Sequence, residues 1–193
     1  MIPREQTKRI STLEKTRTIF DGFVKVEGWK AGMPHETLVI RTTDSVAGLL
    51  YDRTNSRVLQ VSQQRAAMVR DDNPDGLIIE CVAGRFDCDL GPEALLVKEA
   101  LEEAGVHITE DDVELLNNGK PLALSAGILT ERCYLAFAQI EPAMVAEGER
   151  FGLAEEGEDI TRLWVDAQLF INGTHDDLRV WAFAQFLKTK LSA

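Results

Sequence analysis

Thirteen residues between Gly91 and Gly105 carry a helix with both ends marked, and the segment before them is an extended apolar run. Pro92 stands where a first helical turn tolerates a missing N–H, a periodic segment runs to Ala104, and Gly105 stops it. Upstream, Leu77-Ile78-Ile79-Glu80-Cys81-Val82-Ala83 reads as a strand, and Gly84 opens the loop Arg85-Phe86-Asp87-Cys88-Asp89-Leu90-Gly91. A strand, a short loop and a helix in that order must pack against a sheet. The rest of the chain supplies one.

Short β-type stretches rich in Val, Ile, Leu and Thr lie at 19–27, 37–42, 46–51 and 57–62, divided by Gly, Pro, Asp and Asn. Further strands are expected at 113–116, 121–125, 132–140 and 160–165, with 51–57 as a hairpin loop. Residues 1–18 are a polar lead-in, expected to be partly helical or loose. A long acidic connection fills 141–159, Asp166 begins a short helix, and a last helix covers about 177–190. In that helix Leu178, Trp181, Phe183, Phe186 and Leu187 read as a core stripe. The order is β-rich with helices late, an α+β chain.

Composition narrows the function. A chain of 193 residues with 45% hydrophobic residues holds one domain with a real core, with or without a small N-terminal extension. No apolar run reaches the roughly 18 to 20 residues a bilayer span needs, and the polar N-terminus has no secretory h-region, so a cytoplasmic protein is expected. The net charge of −11 argues against nucleic-acid and membrane partners, and against a small anionic substrate unless something offsets it. Cys81, Cys88 and Cys133 read as free thiols, and His35, His107 and His175 are too scattered for a metal site or triad.

The helix ends with the wrong charges. Glu99, Glu102 and Glu103 repel one another at i, i+3 and i, i+4 spacing, in the last turn, where the backbone dipole favours cations. Local stability would not choose this arrangement, which marks a candidate functional site. Three carboxylates on one helix end are hard oxygen ligands suited to Mg²⁺ or Mn²⁺.

Read whole, Gly84 to Val106 resembles the box of the Nudix hydrolase family, G-x5-E-x7-R-E-U-x-E-E-x-G-U with U apolar. Gly84, Glu99, Ala100, Glu102, Glu103, Gly105 and Val106 match seven of its nine defined positions. Leu90 stands at the first glutamate and Lys98 at the arginine. Lysine keeps the charge but not the planar fork, and leucine binds no metal, so Asp87, Asp89 and Glu93 are the neighbouring acids that could substitute. The number of ions stays open.

Beyond the box, over roughly 19–190, the chain resembles the nucleotide-sugar branch, with ADP-ribose pyrophosphatases and GDP-mannose hydrolases. Glu80-Cys81-Val82-Ala83-Gly84-Arg85-Phe86-Asp87 is similar to its E-x-x-A-G-x-x-D stretch, Gln64-Arg65 to its Q-x-R segment, and Ser125-Ala126-Gly127 with Glu131 to its S-P-G-x-x-x-E loop. Residues 152–160 resemble the acidic loop that supplies the base in ADP-ribose pyrophosphatases. The 70–76 loop and the lysine-bearing K-E-A-x-E-E are closer to GDP-mannose hydrolases.

The resemblance implies an α/β/α sandwich with a mixed sheet, formed by 45–193, and a β-stranded N-terminal extension over 1–44. That extension, through 19–42, is expected to build a homodimer and part of the site. Metal ligands are implied at the Ala83 carbonyl, Glu99, Glu102 and Glu103, and catalytic roles at Glu158 first, then Glu156, together with Glu102. Arg65, Arg41, Glu80, Arg85 and Glu131 are implied substrate contacts. The implied reaction is metal-dependent hydrolysis of a nucleoside diphosphate sugar, of ADP-ribose or GDP-mannose type, to a nucleoside monophosphate and a sugar phosphate. A non-catalytic nucleotide-binding Nudix domain, to which Leu90 points, and a hydrolase of a dinucleotide or CoA are the alternatives. Phe20, Phe23, Trp29 and Tyr51 are aromatics that could stack a base, and the sequence selects neither base nor sugar.

Overall fold

The computed structural model describes residues 13–30, 35–153 and 157–192. The chain divides into two compact units, Met1–Asp44 with Ala123–Arg132, and Ser45–Leu122 with Cys133–Ala193.

The first unit is an antiparallel sheet of β1 (Glu14–Asp21), β2 (Lys25–Lys30) and β3 (Thr37–Arg41), in that order. Residues 14–18, read from sequence as helical or loose, are strand, and the single strand expected at 19–27 is a hairpin turning at 22–24. Every β1 side chain is exposed, so no alternation of apolar and polar residues betrays it. The segment Ala123–Arg132 joins this unit through Ile40 N–H to Ile128 O (2.7 Å) and Thr130 N–H to Ile40 O (3.0 Å).

The second unit holds a nine-stranded mixed sheet. Its path runs β11 (Arg150–Phe151), β12 (Ile160–Asp166), β5 (Arg57–Gln64), β4 (Ser45–Asp52), β10 (Arg132–Ile140), β8 (Val113–Leu115). β4 and β10 are parallel, and β4 and β5 form an antiparallel hairpin. Buried Asp52 fixes that hairpin, accepting from Asn55 N–H (3.0 Å) and Arg57 Nε (2.8 Å).

The apolar run 77–83 is two strands, β6 (Leu77–Glu80) on β5 and β7 (Val82–Arg85) on β4. The split falls at Cys81, where the pairing partner changes, a choice that no local signal records. β9 (Leu122–Ala123) pairs with β10.

Helix α1 (Pro92–Ala104) has the expected bounds, with Gly105 at φ +62 as its left-handed cap. It lays Leu95, Leu96, Ala100 and Ala104, all fully buried, on the sheet beside Val46, Leu50 and Leu59. Burying the two leucines contributes about 2 kcal/mol each. Gly48 on β4 admits the helix: a Cβ there would lie 2.5 Å from Leu96 Cδ1.

α2 (Ala167–Asn172) is capped by Asp166, as the sequence implied. α3 (Leu178–Ser192) buries Val180, Phe183, Ala184 and Leu187. Leu178 and Trp181, read as core, are 67% and 52% exposed. The true stripe starts at Val180, and spacings of three and four from it skip both residues. Cys81 and Cys133 are buried thiols and Cys88 an exposed one. Among the described residues no helix is long and apolar enough to cross a membrane.

Candidate functional site

The C-terminal half of α1 lies against β7, and glycine makes the approach possible. A Cβ at Gly84 would fall 2.2 Å from Glu99 Oε1. Only the missing side chain lets that carboxyl sit on the strand. One residue back, Ala83 N–H donates to Glu103 Oε2 (3.0 Å). The strand thus touches two of the three glutamates of the helix end.

Their electrostatics follow from burial. Glu103 is 3% exposed, and desolvation raises its carboxyl to about 8, opposed by the Ala83 N–H and reinforced by the charges of Glu99 and Glu158. Glu99 is raised to about 7, again by burial first; Lys98 opposes this, and Glu102 and Glu158 add to it. Glu102 is half-buried and accepts from Lys98 Nζ (2.7 Å), which lies 3.5 Å from Glu99 Oε1. That lysine, pushed above its ordinary pKa by Glu102, stands where the family resemblance put an arginine.

The loop bearing Glu158 is tied to the same helix end. Gly152 N–H donates to Glu102 O (3.0 Å), and Gly152, at φ +98, passes so close that a Cβ would meet Glu158 Cβ at 2.9 Å. Leu153 N–H donates to Glu158 Oε2 (3.1 Å), and Glu158 N–H returns a bond to Leu153 O (3.2 Å). Glu156, the second candidate base, lies outside the described residues with Glu155. Asp159 is taken by Arg150. Arg162, which sequence reasoning missed, donates to Ala104 O (2.7 Å) and Ala146 O (3.0 Å), closing the end of α1 with a cation.

Four carboxylates therefore meet electrostatically at one end of α1, and their donor chemistry fits a hard divalent cation. Among the described residues no three acidic, histidine or thiol groups already form an ion-holding cluster, and Glu102 is engaged by Lys98. Leu90, at the position of the resembled family's first glutamate, is 38% exposed.

Beside this cluster stands Arg65, whose charge acts on Glu103. Its Nε donates to Glu80 Oε2 (2.8 Å), and Glu80, 5% exposed, accepts at Oε1 from Arg179 (2.8 Å). Arg179 and its partner Asp177 are functional candidates that the sequence reading missed. Arg85 is half-buried on β7. Arg41 and Glu131 belong to the first unit. There Arg41 Nε donates to Glu27 Oε2 (2.7 Å), with its guanidinium 5.3 Å from the Trp29 ring centre. Glu131 is half-buried.

The chain is similar to proteins named GDP-mannose pyrophosphatase. It is 34% identical over 131 residues to that of Cronobacter sakazakii, covering 67% of this chain and 64% of the relative. For Enterobacter sp. the identity is 38% over 112 residues, covering 58% and 54%. For Klebsiella pneumoniae it is 29% over 157 residues, covering 80% and 76%. The chain thus spans less than two thirds of the length of the first two relatives. No protein-family model matches it.

Proposed function

We propose that this protein is a Nudix-type enzyme that hydrolyses the diphosphate linkage of a nucleoside diphosphate sugar, of GDP-mannose type, with Mg²⁺ or Mn²⁺ as cofactor. The observation that carries the reading is the crowding of Glu99, Glu102, Glu103 and Glu158 at one end of α1, two of them raised to about 7 and 8 by burial and mutual repulsion. Buried acids that outnumber the cations beside them are costly, and a divalent cation would reduce that cost. The similarity to proteins named GDP-mannose pyrophosphatase supports the substrate class.

Glu99, Glu102, Glu103 and the Ala83 carbonyl would hold the ion. When bound, it would offset the diphosphate charge and polarise its P–O bonds. Glu158 accepts the proton of the attacking water as general base, with Glu156 as the other candidate. Arg65 holds a phosphate oxygen, and Arg41, Glu80, Arg85 and Glu131 complete the substrate contacts. Water adds to one phosphorus, the bridging P–O bond breaks, and a nucleoside monophosphate and a sugar phosphate leave.

In this reading residues 45–193 form the hydrolase domain with the sandwich arrangement, and 1–44 serve homodimerisation and part of the site. The protein works in the cytoplasm. The test is purified protein with Mg²⁺ or Mn²⁺ on a nucleotide-sugar panel, with release of GMP from GDP-mannose expected. No monophosphate from any member would sink the reading. Thermal stabilisation by a nucleotide sugar that is never consumed would point instead to a binding domain.

A further inference from the structure

Two guanidinium groups divide one buried carboxylate. Arg65 reaches Glu80 Oε2 through Nε alone, and Arg179 occupies Oε1. Arg179 comes from the first turn of α3, 99 residues further along the chain, and is clamped in turn. Asp177 takes its Nε at 3.1 Å on both oxygens. Asp177 also accepts Arg179 N–H (2.6 Å) and Val180 N–H (3.3 Å), so it caps α3 while holding the side chain.

A carboxylate with both oxygens open takes an arginine as a two-pronged fork. Here one prong is blocked. Arg65 is confined to a single bond, and its terminal amino groups make no hydrogen bond among the described residues. Two carboxylates balance two guanidiniums, so Glu80 needs no second bond from Arg65 to be satisfied. We propose that Arg179 is a positioning residue: by occupying Glu80 Oε1 it stops Arg65 from closing its fork on Glu80 and keeps both terminal amino groups of Arg65 turned to a diphosphate oxygen of the substrate. This rests on the diphosphate reading above.

The test compares wild type, Arg179→Met and Arg179→Lys. Methionine keeps the apolar stem and removes the charge, and Asp177 retains both backbone donors, so α3 stays capped. With GDP-mannose and Mn²⁺, Arg179→Met raises KM about tenfold or more and leaves kcat within about threefold, because Arg65 swings onto Glu80 and ground-state binding is lost. Arg179→Lys, whose ammonium refills Oε1, recovers most of the KM. A purely structural role would lower the active fraction, hence kcat, and leave KM alone; that result overturns the proposal.

A second readout needs no turnover. The ¹⁵N spectrum of the Arg65 terminal amino groups, assigned with Arg65→Lys, shows free rotation in metal-free wild type and hindered rotation in Arg179→Met. Unchanged rotation in Arg179→Met overturns the proposal as well. If wild type turns over no nucleotide sugar, the diphosphate reading falls, and the rotation measurement still decides what Arg179 does to Arg65.

Discussion

Glu27 in the first unit and Glu103 in the second are both 3% exposed, yet their carboxyls move in opposite directions. Glu27 accepts from Lys15 (2.7 Å), Trp29 Nε1 (2.9 Å) and Arg41 (2.7 Å), and those bonds hold it down at about 2. Glu103 has one backbone N–H for a partner, and desolvation, reinforced by Glu99 and Glu158 and opposed by Arg65, raises it to about 8. The two shifts have different leading causes: desolvation raises Glu103, with its acidic neighbours adding to it, whereas at Glu27 three donors outweigh desolvation. A carboxylate surrounded by donors is complete and holds the sheet together. One crowded by its own kind lacks a counter-charge, which the cation of the proposed reaction would supply.

Replacing each by its neutral isostere should separate the two kinds. Glu103→Gln keeps an acceptor for Ala83 N–H and removes a charge the fold resists. Nucleotide-sugar hydrolysis should fall by about a hundredfold or more, the scale for disturbing a metal ligand or its support. The metal-free protein should gain stability, on the order of 3 kcal/mol at pH 7, from a carboxyl raised from 4.5 to about 8. Full activity in this variant would remove Glu103 from the ligand set. Glu27→Gln should do the reverse to stability, lowering the melting temperature by leaving Lys15 and Arg41 without their shared anion. Calorimetry with a chelator present reads both, and shifts of the same sign would break the comparison.

The pH profile follows from the same signs. Glu99 and Glu103, raised to about 7 and 8, keep protons in the folded state that the unfolded chain releases near 4.5. Their effect is absent below that pH and grows into a loss of stability as pH climbs to about 8. Glu27, lowered to about 2, contributes stability that is complete above 4.5 and disappears as pH falls towards 2. Metal-free protein should therefore be most stable near pH 5, with an alkaline limb that Glu103→Gln flattens and an acid limb that Glu27→Gln flattens. Chemical unfolding from pH 3 to pH 9 measures it, and a flat alkaline limb in the wild type would contradict the assignment of both site glutamates.

What the sequence disclosed depends on how far a signal must reach. α1 was readable to the residue because Pro92 and Gly105 act locally, and its misplaced acids pointed to the site for the same reason. The break of 77–83 into β6 and β7 was not, since it depends on which distant strand each half meets. Arg179 was missed because only folding brings it to Glu80, although a signal existed. A cation in the first turn of α3 opposes the helix dipole just as Glu99, Glu102 and Glu103 do at the end of α1. Applied to both ends of every helix, the rule that exposed the carboxylates would have exposed the guanidinium.

Lys98 offers the finest adjustment of the contrast, being the one neighbour of Glu99 on α1 that supplies what Glu27 has in plenty. It opposes the upward shift of Glu99 and binds Glu102 directly. Lys98→Met removes that opposition without touching the burial that dominates. The Glu99 carboxyl should rise by a further fraction of a pH unit in metal-free protein, read by ¹³C-detected titration of labelled glutamate. The direction is the informative part. A Glu99 carboxyl that fell or stayed fixed would mean that Lys98 leaves Glu99 alone and serves Glu102 only, and the difference between the two buried glutamates would then rest on desolvation and acid–acid repulsion without help from a nearby cation.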